Sequence, residues 1–178
     1  MSATPPPDQR SAGQESSRER DLAARLLAAA GRIRANLGAW RPGTVTEADP
    51  GTGERWEAGQ VLAHVAEMLP YWVRQAETVA NGTDGVPFGR VKTDPDRVAA
   101  IERDRRDDLL VLLGRMDQGV AGVLALLDRL DDAALARTGT HQTLGRMTVA
   151  QIVEDFLVRH LEEHADQLAH PLASSPET

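Results

Sequence analysis

Apolar side chains recur at three- and four-residue spacing in four separate stretches of the chain. Leu22, Leu26, Ala29, Ile33 and Leu37 form the first stripe and predict a helix over about 17–39. Val61, Val65, Met68, Trp72, Ala76 and Val79 form the second, over about 57–81. Pro70 lies inside it, removes a backbone donor and is expected to bend it. Asn81-Gly82 supplies a stop. The third runs over about 95–130 through Val98, Ile101, Leu109, Leu112, Met116, Val120, Val123, Leu127 and Leu130. Asp94 and Pro95 suit its N-cap and first position, and Gly114, Gly119 and Gly122 are where it is expected to loosen or break. The fourth covers about 149–169. Thr148 and Gln151 form a capping box there, Met147 and Ile152 a hydrophobic staple, and Pro171 follows the end.

Four amphipathic helices with little strand signal between them predict an all-α fold, a four-helix bundle. The links at 40–56 and 81–94 are long and rich in Gly, Pro and Thr. Such links permit crossovers and can form a rim over a site at one end of the bundle. Residues 1–16, with three consecutive prolines, read as a disordered leader; 17–170 read as the bundle and 171–178 as a flexible tail. The leader lacks the apolar core of a secretory signal.

Composition narrows the function classes. The 178 residues, 41% of them hydrophobic, suit one domain with a real core. A net charge of −7 argues against a nucleic-acid partner and against anionic lipid. No apolar run is read as approaching the roughly 20 residues of a membrane span. The expectation is a soluble, cytoplasmic protein. The absence of cysteine excludes disulfides, a cysteine nucleophile and thiolate metal ligands.

The chemistry sits in "RHLEEHADQLAH", residues 159–170. At 100° per residue, His160 and His164 fall within the arc marked by Val149, Ile152, Val153, Phe156, Leu157, Leu161 and Leu168. Two imidazoles one turn apart can converge on one metal ion. They can equally be two core histidines, each bonded to a backbone carbonyl. His64, at the border of the second stripe, can reach the same interior. His141 and His170 read as loop or surface residues. Asp155, Glu67 and Glu163 lie close in sequence to the ring nitrogens that need support. Arg105, on the third stripe, reads as a cation snorkelling at the bundle end rather than as an anion site.

Two metal motifs fail. His160 to His164 matches H-x-x-E-H formally, but only 14 residues follow His164, too few for that family's distant third ligand. A di-iron bundle needs paired Glu-x-x-His motifs, and Glu57, Glu67 and Glu154 are followed three positions on by Gln60, Pro70 and Leu157.

The motifs "W-x-x-x-Q-V-L-A-H-V-A" from Trp56, "G-x-x-T-V-x-Q-I-V" from Gly145 and "R-H-L-E-E-H-A-D-Q-L" from Arg159 resemble those of the DinB-like four-helix bundles. That family is related to the N-terminal domain of mycothiol-dependent maleylpyruvate isomerase. The resemblance covers about residues 17–170. It implies a divalent metal (nickel, zinc or iron) held by His64, His160 and His164. It also implies a small-molecule substrate, and in several relatives a low-molecular-weight thiol such as mycothiol as co-substrate, and often a homodimer. A thiol S-transferase, a metal-dependent hydrolase and a non-catalytic metal-binding bundle all fit it. One departure is Glu57, where the family usually places a Ser or Thr cap.

Overall fold

The computed structural model describes residues 7–173. Helix α1 spans Pro7–Asn36, and a short 3-10 turn follows at Leu37–Ala39. Strand β1 is Thr44–Val45 and helix α2 is Ala58–Asn81. Strand β2 is Val86–Phe88, followed by α3 at Pro95–Asp104 and α4 at Leu109–Leu127. Then come α5 (Asp132–Ala136), β3 (Thr138–His141) and β4 (Gly145–Thr148). The closing helix is continuous but composite: α6 (Val149–Ile152), a π-helical segment (Val153–Arg159) and α7 (His160–Gln167). Strand β5 is Leu172–Ala173.

Four long helices make the bundle expected. α1 packs on α4 and α7, while α2 packs on α4 and the π segment. Consecutive helices α1 and α2 are therefore diagonal to each other, and the long 40–57 link is what carries the chain across. The core lies where the stripes meet. Leu26, Ile33, Leu62, Met68, Leu69, Leu112, Met116, Leu126, Ile152, Leu157, Leu161 and Leu168 are fully buried.

Several expectations need correction. α1 begins at Pro7, earlier than the start at about 17 that the first stripe predicts. Once a helix is nucleated, each added residue costs little, and Pro suits the first position. Residues 1–6 of the leader and 174–178 of the tail lie outside the described residues. α2 runs through Pro70 without interruption. The third stripe breaks at 105–108, not at its glycines, because Asp108 caps a new helix by accepting from the Leu110 N–H at 2.7 Å. Val98 and Leu109, on either side of that break, are exposed.

Short strands appear that periodicity did not show. β2 pairs parallel with β3, β3 antiparallel with β4, and β1 antiparallel with β5. Strands of two to four residues are too short for alternation to register. Finally, α4 is apolar and long enough to cross a membrane by length and composition, contrary to the reading above. In this fold its buried face, from Leu112 to Leu127, packs in the core.

The glycines of α4 have opposite roles. A Cβ at Gly119 would lie 2.7 Å from Leu69 Cβ, whereas one at Gly114 would meet nothing within 4 Å. Gly119 thus lets α4 approach α2 closely, and Gly114 only loosens the helix. Gly119→Ala is expected to cost about 1–3 kcal/mol through overpacking. Gly114→Ala is expected to gain up to about 1 kcal/mol through helix propensity. Urea denaturation of both variants checks this, and equal shifts in one direction would contradict the packing described.

Candidate metal centre

α2 brings the first histidine. Its N-terminal turn is fixed by Gln60, whose Oε1 accepts from the Glu57 N–H at 2.9 Å. Glu57 thus serves as the cap that the Ser or Thr of the family would supply. Gly59 in that turn is also required: a Cβ there would sit 2.2 Å from the Arg105 carbonyl oxygen. Arg105 itself reaches Glu102 at 3.2 Å, with its Nε buried and without a hydrogen-bond partner among the described residues. One turn further on, His64 is buried, and Trp56 packs edge-on against its ring at 5.7 Å. Thr46, also buried, holds Trp56 in place by accepting from its N–H at 3.0 Å.

The closing helix brings the other two. Its α6 start has the expected capping box of Thr148 and Gln151. The π segment then ends where His160 begins. An i→i+5 ladder turns less per residue than an α-helix, so α7 is rotated back relative to a uniform 100° count. Arg25 of α1 clamps this change of pitch from outside. Its guanidinium donates to Glu162 at 2.9 and 2.7 Å and to Glu154 at 2.8 Å. Asn36 Nδ2 donates to the Ala165 carbonyl at 2.9 Å and Trp40 Nε1 to that of Leu168 at 3.0 Å.

His64, His160 and His164 meet. One ring nitrogen from each lies within 4.8 Å of the others. His64 Nε2 and His160 Nε2 are 3.4 Å apart. Two nitrogens bound tetrahedrally to zinc at about 2.0–2.1 Å would stand about 3.3 Å apart. His164 Nδ1 lies 2.8 Å from Gln167 Oε1. An amide oxygen only accepts, so His164 carries its proton on Nδ1 and offers the Nε2 lone pair to the site. That Nε2, like His64 Nδ1, is buried with no hydrogen-bond partner among the described residues. Neutral, converging imidazoles with an orphaned nitrogen fit a divalent metal. They do not fit the alternative of core histidines satisfied by backbone carbonyls.

Burial is the main reason the rings stay neutral. It holds His64 well below its ordinary pKa, with the charges of His164 and His160 adding to the effect. It lowers His160 to about 3 and His164 to about 4.

Gln167 was not foreseen as the supporting residue. The three acids considered are engaged elsewhere: Glu67 with Arg90, Asp155 with Arg159 at 3.2 Å and Glu163 with Arg159 at 3.8 Å. His141 is also not the surface histidine expected. It is buried on β3, its Nδ1 accepts from the N–H groups of Thr143 and Leu144 at 3.3 Å, and it stacks on Phe156 at 5.6 Å. Phe156 stacks in turn on Trp72 at 3.9 Å and 4°. Gly89 makes room, since a Cβ there would lie 2.2 Å from His141 Cδ2. His170 is exposed at the rim, as expected. Histidines and aromatic wall line one cavity of about 1370 Å³, rimmed by residues 47–54 and 90–93.

Two outcomes are expected. Unfolded imidazoles titrate near 6.5, whereas His160 and His164 are depressed to about 3 and 4. The unfolded chain therefore binds more protons below pH 6.5. The stability of metal-free protein should be full above that pH and fall beneath it, by up to about 1.4 kcal/mol per pH unit per histidine. Urea midpoints between pH 7 and pH 5 test this, and a flat profile would contradict neutral burial. Gln167→Leu should weaken zinc affinity about 10–100-fold while leaving the fold intact. A competition titration with a chromogenic chelator reads it, and unchanged affinity would remove Gln167 from the site.

The fold has solved counterparts. YfiT from Bacillus subtilis, described as a probable metal-dependent hydrolase with an unusual four-helix bundle topology, superimposes with a TM-score of 0.68 at 15% identity. The match covers 94% of this chain and 88% of that one. Mycothiol-dependent maleylpyruvate isomerase matches with a TM-score of 0.62 at 12% identity, over 84% of this chain. A histidine-to-alanine variant of that isomerase gives 0.65 at 12% identity over the same 84%. In both cases this chain spans 60% of the isomerase's length. No curated protein matches the chain in sequence. The family model of the DinB superfamily matches residues 20–168, and the chain belongs to that superfamily.

Proposed function

We propose that this chain is a metal-dependent enzyme that activates a low-molecular-weight thiol, of the mycothiol type, for transfer to a small-molecule acceptor. The observation that carries the reading is the convergence of three neutral imidazoles in the wall of a 1370 Å³ cavity. His64, His160 and His164 would hold the ion, which we take to be nickel, zinc or iron. When bound, a divalent ion acts as a Lewis acid and deprotonates a coordinated thiol or lowers the pKa of a coordinated water. Three protein ligands leave a position open, the pattern of catalytic and not structural sites.

The chain's own residues do the rest. Gln167 fixes the His164 tautomer, and Trp56 orients His64. Trp72 and Phe156 give the cavity an apolar wall. The cavity exceeds the usual 300–1,000 Å³ of a single-ligand pocket, which suits a thiol together with its acceptor. Of the acids that line it, Asp155, Glu163 and Asp166 on the closing helix are held by Arg159 and Arg32, whereas Glu47 and Glu54 sit on the exposed rim loop. On the histidine side of the cavity that favours a nucleophile activated without a carboxylate base, as a thiol can be. A thiol co-substrate would also place the work in the reducing cytoplasm. A second reading is a hydrolase on the same three histidines, favoured by the description of YfiT.

Elemental analysis of tag-free protein tests the centre. His64→Ala and His160→Ala should each lower bound metal at least about tenfold, and His170→Ala should leave it unchanged. Equal metal content in all three would dismiss the site. With cobalt(II) bound, mycothiol should add a thiolate charge-transfer band. Ester turnover without thiol, and no such band, would favour the hydrolase.

A further inference from the structure

The cavity carries charge that the metal reading does not use. Two of the four arginines and lysines that line it are committed. Arg90 pairs with Glu67 and lies over the Tyr71 ring at 3.7 Å, and Arg159 is held by Asp155. Arg97 is different. It is partly buried at the start of α3, lines the cavity and forms no ion pair with any carboxylate among the described residues. Lys92, beside it on the rim, has none either.

Arg97 is nonetheless held in place. Its N–H donates to the Asp94 cap at 3.0 Å, and its Nη1 donates to the Lys92 carbonyl at 2.8 Å. Its other guanidinium donors remain for a ligand. Burial, and then the charge of Arg90, push its pKa down, yet a guanidinium stays protonated. A partly desolvated cation with no carboxylate in contact costs free energy that an incoming anion recovers. Its field also reaches the histidines, since the Arg97 charge helps depress all three rings. A divalent ion there would add positive charge to the same cavity. The carboxylates of Glu67, Glu54 and Asp94 act on the Arg97 guanidinium only through space.

We propose that Arg97, assisted by Lys92, is a specificity-determining residue that receives an oxyanion of the substrate, a carboxylate or a phosphate. The apolar body of that substrate would lie against Trp72 and Phe156. The proposal rests on the reading of this cavity as the active site, and its test separates the two. Benzoate, phenyl phosphate and neutral benzamide are titrated into zinc-loaded and zinc-free protein, with tryptophan fluorescence as the readout.

One or both anions should bind more tightly than benzamide, and the better one names the oxyanion. Arg97→Gln should weaken anion binding about tenfold or more, with Arg97→Lys intermediate and benzamide unchanged. Lys92→Ala, on an exposed side chain, should weaken it less and keep the fold. Equal losses for benzamide and the anions would make Arg97 a packing residue and overturn the proposal. So would the absence of anion binding at millimolar concentration. Loss of anion preference in the Arg97 variants without zinc would sustain it even if the histidines take up no metal.

Discussion

Keeping three imidazoles neutral and close together inside an apolar bundle is the constraint on which the rest depends. A buried polar nitrogen with no partner costs roughly 1–3 kcal/mol, and both His64 and His164 carry one. Nothing within the rings recovers that cost, so their surroundings must hold them. Trp56 and the Thr46 staple fix His64 from the side of α2. Gln167 fixes His164 from one turn beyond, and Arg25, Asn36 and Trp40 tie the closing helix to α1. The α1–α7 contact therefore does more than bury leucines. It keeps two rings aimed at a third that comes from another helix.

Electrostatics follow the same division. The chain is acidic overall, at −7. Around the cavity, though, Asp155, Glu163 and Asp166 are occupied by arginines, while Arg97 and Lys92 are left open. The cavity lining is acidic like the whole protein, but its carboxylates and its cations are unevenly paired. Which of them are paired cannot be counted from composition.

The helices and the cluster of three histidines were legible because both are periodic signals. Every residue of the second stripe is buried, and a one-turn spacing of His160 and His164 survives any small error in helix phase. What was missed depends on context that period does not carry. The π segment breaks the uniform rotation without any Pro or Gly to announce it. Gln167 matters because an amide three residues beyond His164 folds back onto its ring, a contact of rotamer and not of spacing. His141 reads as a loop residue from its neighbours, yet β3 inserts it between Phe156 and the Gly89 backbone. The α3–α4 break is the exception: Asp108 was a readable cap, overshadowed by the continuous apolar stripe on either side.

The link that carries the chain diagonally from α1 to α2 also roofs the cavity, through residues 47–54. It touches the core mainly at two anchors, Trp40 and the Thr46–Trp56 staple. Lengthening a loop between fixed ends costs only about 0.6 kcal/mol per doubling. The span between Thr46 and Trp56 is thus a part of the molecule where descendants of this sequence can vary in length and chemistry at almost constant stability. The cover of the cavity and the fold are separately heritable here: one is written on the roof, the other in the helices beneath it.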